Sequence, residues 1–121
     1  MSIAIIINPI SGGAGPDVAR RRAEQAASVA AGLGEAAVVH VTERAGHAKA
    51  LALESACGGA RVVFAWGGDG TVNEVASALA FGPAALGIIP AGSGNGLARE
   101  LGVPVDPGAA IRRGVAAAPR V

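Results

Sequence analysis

The sequence predicts an α/β protein: a parallel sheet with helices on both of its faces. Two observations predict it. Short runs rich in Ile and Val alternate with Ala-rich stretches of helical period along the whole chain, which is the pattern of strand–helix–strand units. The runs are also continuously apolar, as strands with no wet face must be.

The elements follow in order. Ile3–Asn8 reads as the first strand, ended by Pro9. A helix then runs from Pro16 to about Leu33: Pro16 suits a first turn, and Ala19, Ala23, Ala26, Ala30 and Leu33 make one apolar stripe at spacings of three and four. Gly32 and Gly34 close it. Ala37–Thr42 is the second strand and His47–Cys57 the second helix, stopped by Gly58-Gly59. Arg61–Trp66 is the third strand; after Gly67–Gly70 a helix is expected over Thr71–Phe81. Leu86–Ile89 is the fourth strand, followed by the Gly-rich loop Pro90–Gly96, a short helix reaching Leu101, and a last helix over Ala109–Ala117.

Composition narrows the class of function. At 121 residues the chain fits one domain, since domains run to ~100–200 residues. A 51% hydrophobic, 16% charged composition is that of a folded globular protein and not of a disordered tail. Ten basic against nine acidic side chains, with only Phe64, Trp66 and Phe81 as aromatics, argue against a nucleic-acid binder. The single Cys57 makes neither an internal disulfide nor a metal cluster and reads as a small apolar residue; Met1 enters an apolar run without a basic leader. Both point to the cytoplasm. Runs such as Ile3–Ile7 and Val62–Trp66 fall far short of the ~20 apolar residues that span a bilayer, so membrane contact is expected to be peripheral.

Four strand-to-helix junctions carry the unusual residues: Asn8–Gly13, Thr42–His47, Gly67–Asn73 and Pro90–Gly96. In a parallel sheet all four lie at the carboxyl ends of strands, where open α/β sheets bind ligands. The sharpest is Gly67-Gly68-Asp69-Gly70-Thr71-Val72-Asn73-Glu74. Glycines that take positive φ bring backbone N–H groups against phosphate oxygens, and the following helix N-terminus adds a favourable dipole. Asp69 would repel bare polyphosphate, so it suits a magnesium-bound nucleotide, a hydroxyl to be oriented or a proton to be taken. The same residues also read as a turn in which Thr71 and Glu74 form a Thr-x-x-Glu capping box; both readings can hold. Ser93 and Asn95 in the Pro90–Gly96 loop offer small donors among glycines. The first loop lacks the third glycine of a dinucleotide fingerprint, having Val18 in its place, and no Walker lysine is present. Arg20-Arg21-Arg22, near the start of a helix, opposes the dipole and would gain from an anionic partner, but reads first as a solvated helix face. His40 and His47 have no neighbouring metal-ligand set, and His47 reads as a loop or helix-start residue.

Together the junctions resemble the nucleotide-binding lobe of the diacylglycerol kinase catalytic family, which includes bacterial lipid kinases, sphingosine kinases and ceramide kinase. The carriers are Ile6-Ile7-Asn8-Pro9 with Ser11-Gly12, Thr42 followed by Ala45-Gly46-His47-Ala48, Gly67–Thr71 with Asn73-Glu74, and Pro90-x-Gly92-Ser93-x-Asn95-x-x-Ala98-Arg99. Gly-Gly-Asp-Gly alone is shared with NAD kinases and phosphofructokinases; the Pro-x-Gly-Ser-x-Asn loop narrows it to lipid kinases. Ser93 stands where many members carry Thr, and Gly96 where many carry Asp.

The resemblance implies a Rossmann-like ATP-binding lobe over residues 1–121 of a two-lobed lipid kinase, without the β-rich second lobe that holds the lipid. It implies ATP contacts from Thr42, from Gly67, Gly68, Asp69, Gly70, Thr71, Val72 and Asn73, and from Ser93, with Asn8 as a neighbour. Asp69 would be the catalytic residue of this lobe, aligning magnesium or the acceptor hydroxyl. Magnesium would accompany the nucleotide, its protein ligands lying mainly in the second lobe. The acceptor would be a lipid alcohol, diacylglycerol or sphingoid-like, reached by peripheral membrane contact, and the isolated lobe would be inactive. An NAD kinase-like phosphotransferase and a non-catalytic nucleotide-binding or dimerisation module are the alternatives.

Overall fold

Apolar residues dominate the two strands at the centre of the sheet, and the topology explains why. A computed structural model describes residues 2–9, 16–80, 82–91, 102–104 and 106–117. Within them β1 (Ser2–Ile7), β2 (Ala36–Val41), β3 (Ala60–Gly67) and β4 (Ala85–Pro90) form one parallel sheet in the order β2–β1–β3–β4. The helices are α1 (Pro16–Gly32), α2 (His47–Cys57), α3 (Asp69–Leu79) and α4 (Pro107–Ala117). β1 and β3 are central and covered on both faces: Ile3, Ile5, Ile6, Ile7, Val62, Val63, Phe64 and Ala65 have no exposed surface. β2 lies at an edge and alternates instead, with Ala37 and Val39 half-buried and Val38 53% exposed.

Successive residues of each strand feed opposite cores. Ile3, Ile5, Ile7, Val62, Phe64, Trp66 and Ile89 pack with Ala26 and Ala30 of α1 and Ile111 and Val115 of α4. Ala4, Ile6, Val63, Ala65 and Ile88 pack with Ala48 and Ala52 of α2 and Val72, Val75 and Leu79 of α3. Both described aromatic rings of the core lie on the first side, where Phe64 fills the space between β4 and α4 left by Gly87 and Gly114: a Cβ at either glycine would overlap its ring.

At the opposite end from the strand termini that concern function, the buried Arg61 pairs with Glu35 and donates to the Val115 carbonyl at 3.2 Å. One guanidinium thus ties the α1–β2 turn and β3 to α4.

Most boundaries fall within a residue or two of those expected. α1 ends in a nested pair of hydrogen bonds, Glu35 N–H to Ala30 and Gly34 N–H to Ala31, with Gly34 at φ 73°, which is a Schellman cap. Leu33 therefore lies past the helix and is exposed, so the apolar stripe stops at Ala30. α3 begins at Asp69 rather than Thr71, because Gly68 is its N-cap, and ends at Leu79. Cys57 is exposed at the end of α2 and contributes nothing to either core. The short helix expected before Leu101 and the loop residues Gly92–Gly96 lie outside the described residues.

Candidate functional site

The register of the sheet places one residue of each junction in a row. Ile7 lies opposite Val41 on one side and Trp66 on the other. The ladder continues one step further: Thr42 N–H donates to Ile7 at 2.8 Å, and Asn8 N–H to Trp66 at 3.0 Å. Thr42, Asn8 and Gly67 are therefore held side by side at the carboxyl end of the sheet by backbone pairing alone.

Here the connections part. α1 leaves β1 toward one face and α3 leaves β3 toward the other, so a crevice opens between the ends of these two adjacent strands, as at the switch point of any doubly wound sheet. Asn8 spans it. Its Nδ2 donates to the Thr71 hydroxyl at 3.0 Å, while its carbonyl accepts from Arg22 Nη1 at 3.4 Å. On the α2/α3 side is a cleft of about 270 Å³. Its walls are Asn8 and Pro9, the turn Thr42–Ala45, Ala48 of α2, and Gly70, Thr71 and Glu74 of α3.

The turn after β2 is built by its own residues. Gly46 takes φ 82°, which other residues rarely adopt, and His47 Nδ1 accepts the Glu43 N–H at 2.9 Å. His47 thereby closes the turn, and the buried Thr42 stands at the cleft wall. Glu74 reaches across from α3 to accept the Lys49 N–H at 3.3 Å, in the first turn of α2.

The glycine turn differs from expectation in two respects. Gly68 has φ −88° and ψ −169°, an extended conformation, and the positive-φ glycines among the described residues are Gly34, Gly46, Gly59 and Gly102. What the turn offers is open space: a Cβ at Gly68 or Gly70 would meet nothing within 4 Å. The first N–H groups of α3, which have no partner inside the helix, face that opening with the positive end of its dipole. Nor does the Thr71–Glu74 capping box form. Gly68 provides no side-chain cap, and both side chains are engaged elsewhere, Thr71 by Asn8 and Glu74 by α2.

Of the residues singled out in the sequence, Asn8, Thr42, Gly70 and Thr71 line the cleft. Gly67, Gly68, Asp69 and Asn73 sit at the turn beside it, with Asp69 and Asn73 exposed. Val72 is turned into the core, so only its backbone reaches the turn. Ser93 lies outside the described residues.

Sequence reasoning groups Arg22 with Arg20 and Arg21 as a solvated face, with an anionic partner as the alternative. Arg20 and Arg21 are exposed as expected, but Arg22 is half-buried with its guanidinium 5.5 Å from the Trp66 ring centroid. Burial pushes its pKa down from the ordinary value. The signal was in the spacing: Arg22 follows Ala19 by three and precedes Ala26 by four, so it shares the buried face. Among the described residues no three His, Cys, Asp or Glu side chains come together to hold a metal ion, and no helix is long and apolar enough to cross a membrane.

The sequence profile described as "Diacylglycerol kinase catalytic domain" matches residues 2–120. The chain belongs to that family. Among other members, it is 42% identical over 80 residues to a Pseudomonas aeruginosa protein named "Probable lipid kinase YegS-like", an alignment covering 64% of this chain and 26% of the relative. A Serratia proteamaculans protein of the same name is 42% identical over 81 residues, covering 64% and 27%. In structure it is similar to a diacylglycerol kinase from Bacillus anthracis, with TM-score 0.73 and 28% identity over 90% of this chain and 40% of that one. The chain thus spans about a quarter of the length of these relatives and two fifths of that structure. Its four-stranded parallel sheet with helices on both faces is the fold of these kinase lobes.

Proposed function

We propose that residues 1–121 are the ATP-binding lobe of a lipid kinase, which transfers the γ-phosphoryl of ATP to a lipid hydroxyl. The observation that carries this reading is the Asn8–Thr71 bridge beside the open Gly68–Gly70 turn. It sets hydrogen-bonding groups and a helix N-terminus around a space that phosphates can enter. The family and its lipid-kinase relatives supply the reaction class.

In this reading the cleft walled by Thr42 and Asn8 takes the nucleoside side of ATP. The phosphates lie over Gly67, Gly68 and Gly70, with Asp69, Thr71, the Val72 backbone and Asn73 around them, and Ser93 adds a donor from the last junction. Magnesium accompanying the nucleotide would supply charge neutralisation there; a turn with one carboxylate, Asp69, suits a metal held mostly by the nucleotide. The lipid hydroxyl oxygen bonds to the γ-phosphorus, the bond from that phosphorus to the bridging oxygen breaks, and ADP leaves. We assign Asp69 either to orienting the metal-bound phosphates or to taking the hydroxyl proton. The acceptor, diacylglycerol or a sphingoid-like alcohol, would bind a second lobe outside these 121 residues, and the protein would work from the cytoplasm at the membrane surface.

Radiolabel transfer tests this. The 121-residue chain offered labelled ATP with diacylglycerol or sphingosine should transfer nothing. Fused to the part of the Pseudomonas aeruginosa relative that has no counterpart in these 121 residues, it should phosphorylate a lipid, and Asp69→Asn should abolish transfer while ATP affinity stays within about tenfold, ~1.4 kcal/mol. Robust transfer by the short chain, or by the Asp69→Asn fusion, would contradict the assignment.

A further inference from the structure

We propose that Arg22 binds phosphate, supplying the positive charge of the nucleotide site from the α1 side of the crevice. The inference rests on the nucleotide-binding reading above and deepens it.

Four observations lead to it. The helical spacing from Ala19 and Ala26 directs Arg22 toward the ends of β1 and β3 instead of into solvent. Its guanidinium touches the two residues that frame the phosphate turn: it lies 5.5 Å from the ring centroid of Trp66, which directly precedes Gly67-Gly68, and it donates to the carbonyl of Asn8, whose side chain holds Thr71. Among the described residues no carboxylate pairs with it, although its neighbour Arg20 has Asp17 and the buried Arg61 has Glu35. Finally, the one acceptor it has among the described residues is a neutral carbonyl at the long distance of 3.4 Å.

A partly desolvated cation is costly to keep without an anion, and guanidinium carries five donors in a planar fork. Among the described residues only the Asn8 carbonyl takes any of that capacity, and phosphate oxygens match the fork in charge and geometry. Trp66 holds the group in place from one side, so its position is prepared before a ligand arrives. The phosphate chain would then extend from the α2/α3 cleft across Asn8, with the α3 N-terminus on one side and Arg22 on the other. A purely structural Arg22, packed on Trp66, would make no distinction between ligands with and without phosphates.

Trp66 is the only tryptophan of the chain, so its emission reports on this contact directly. Magnesium-ATP, tripolyphosphate and adenosine would be titrated into wild type, Arg22→Gln and Arg22→Lys, with far-UV circular dichroism as the folding control. We expect Arg22→Gln to weaken ATP and tripolyphosphate by about tenfold or more, the scale of one charge-assisted hydrogen bond. Adenosine should stay within about twofold, and Arg22→Lys should fall between, since it keeps the charge but loses the fork. If Arg22→Gln does not fold, Arg22→Lys carries the comparison. A folded variant that binds ATP like wild type, or loses ATP and adenosine equally, overturns the inference. Wild type that binds neither ATP nor adenosine overturns the nucleotide reading and this inference with it.

Discussion

The side-chain amide of Asn8 donates to the hydroxyl of Thr71 at 3.0 Å, joining the end of β1 to the first turn of α3 across 63 residues of sequence. This bond spans the crevice where the chain's connections diverge, and its geometry fixes the relation between the cleft and the glycine turn.

Asn8→Ala and Thr71→Val should therefore each lower stability by about 1 kcal/mol, the net worth of a partly buried hydrogen bond. The double variant should lose less than the sum of the two, because either change alone removes the bond. Urea denaturation of the three variants measures the coupling; strict additivity would show that the pair does not interact.

Gly68→Val should separate fold from function. With φ −88° and no atom within 4 Å of a Cβ, the backbone tolerates the side chain, and the cost should stay near 1 kcal/mol, that of a poorer N-cap. Phosphate approach should nevertheless be blocked, so ATP affinity falls while the melting temperature drops by only a few degrees, roughly the shift that 1 kcal/mol gives in a domain of this size. A large loss of stability, or unchanged affinity, would contradict this.

Gly114→Ala should destabilise although it lies in the helix α4, where replacing glycine by alanine ordinarily gains up to about 1 kcal/mol. The added methyl overlaps the buried Phe64 ring, and overpacking of this kind costs about 1–3 kcal/mol. Gly87→Ala meets the same ring from β4 and should behave alike. Phe64→Leu combined with Gly114→Ala should cost less than the two separate losses together. Chemical denaturation gives the sign, and a stabilised Gly114→Ala protein would refute the packing argument.

Glu35→Gln should destabilise by about 3–5 kcal/mol, because it leaves the guanidinium of Arg61 buried without its counter-charge. Replacing both partners, Glu35→Leu with Arg61→Met, should recover much of the loss. Thermal unfolding of the single and double variants checks this; a Glu35→Gln protein that melts like wild type would mean that the pair adds nothing.

The parts of the fold that depend on local pattern were legible in the sequence. The unbroken apolar run Ile3–Ile7 announces a strand covered on both faces, and Gly34 and Gly58-Gly59 mark helix ends by their own chemistry. What depends on tertiary partners was not legible. Thr71 and Glu74 have the spacing of a capping box, yet Asn8 and the α2 backbone claim them. Gly68 looks like a residue needed for its φ, yet its backbone is extended and a Cβ there would meet only open space. Gly87 and Gly114 are unremarkable in sequence because the ring that requires them belongs to β3. The junction residues could be named one by one, but their arrangement in a row follows from the pairing of Ile7 with Val41 and Trp66.

The central claim is that nucleotide binds at the carboxyl end of this sheet, and amide NMR of the labelled chain during titration with magnesium-ATP tests it most directly. The account predicts shifts concentrated at Asn8, Thr42 and Gly67–Asn73, with the Glu35–Arg61 end of the molecule unchanged. Shifts centred on Glu35 and Arg61, or none at Gly67–Asn73 at millimolar nucleotide, would contradict it.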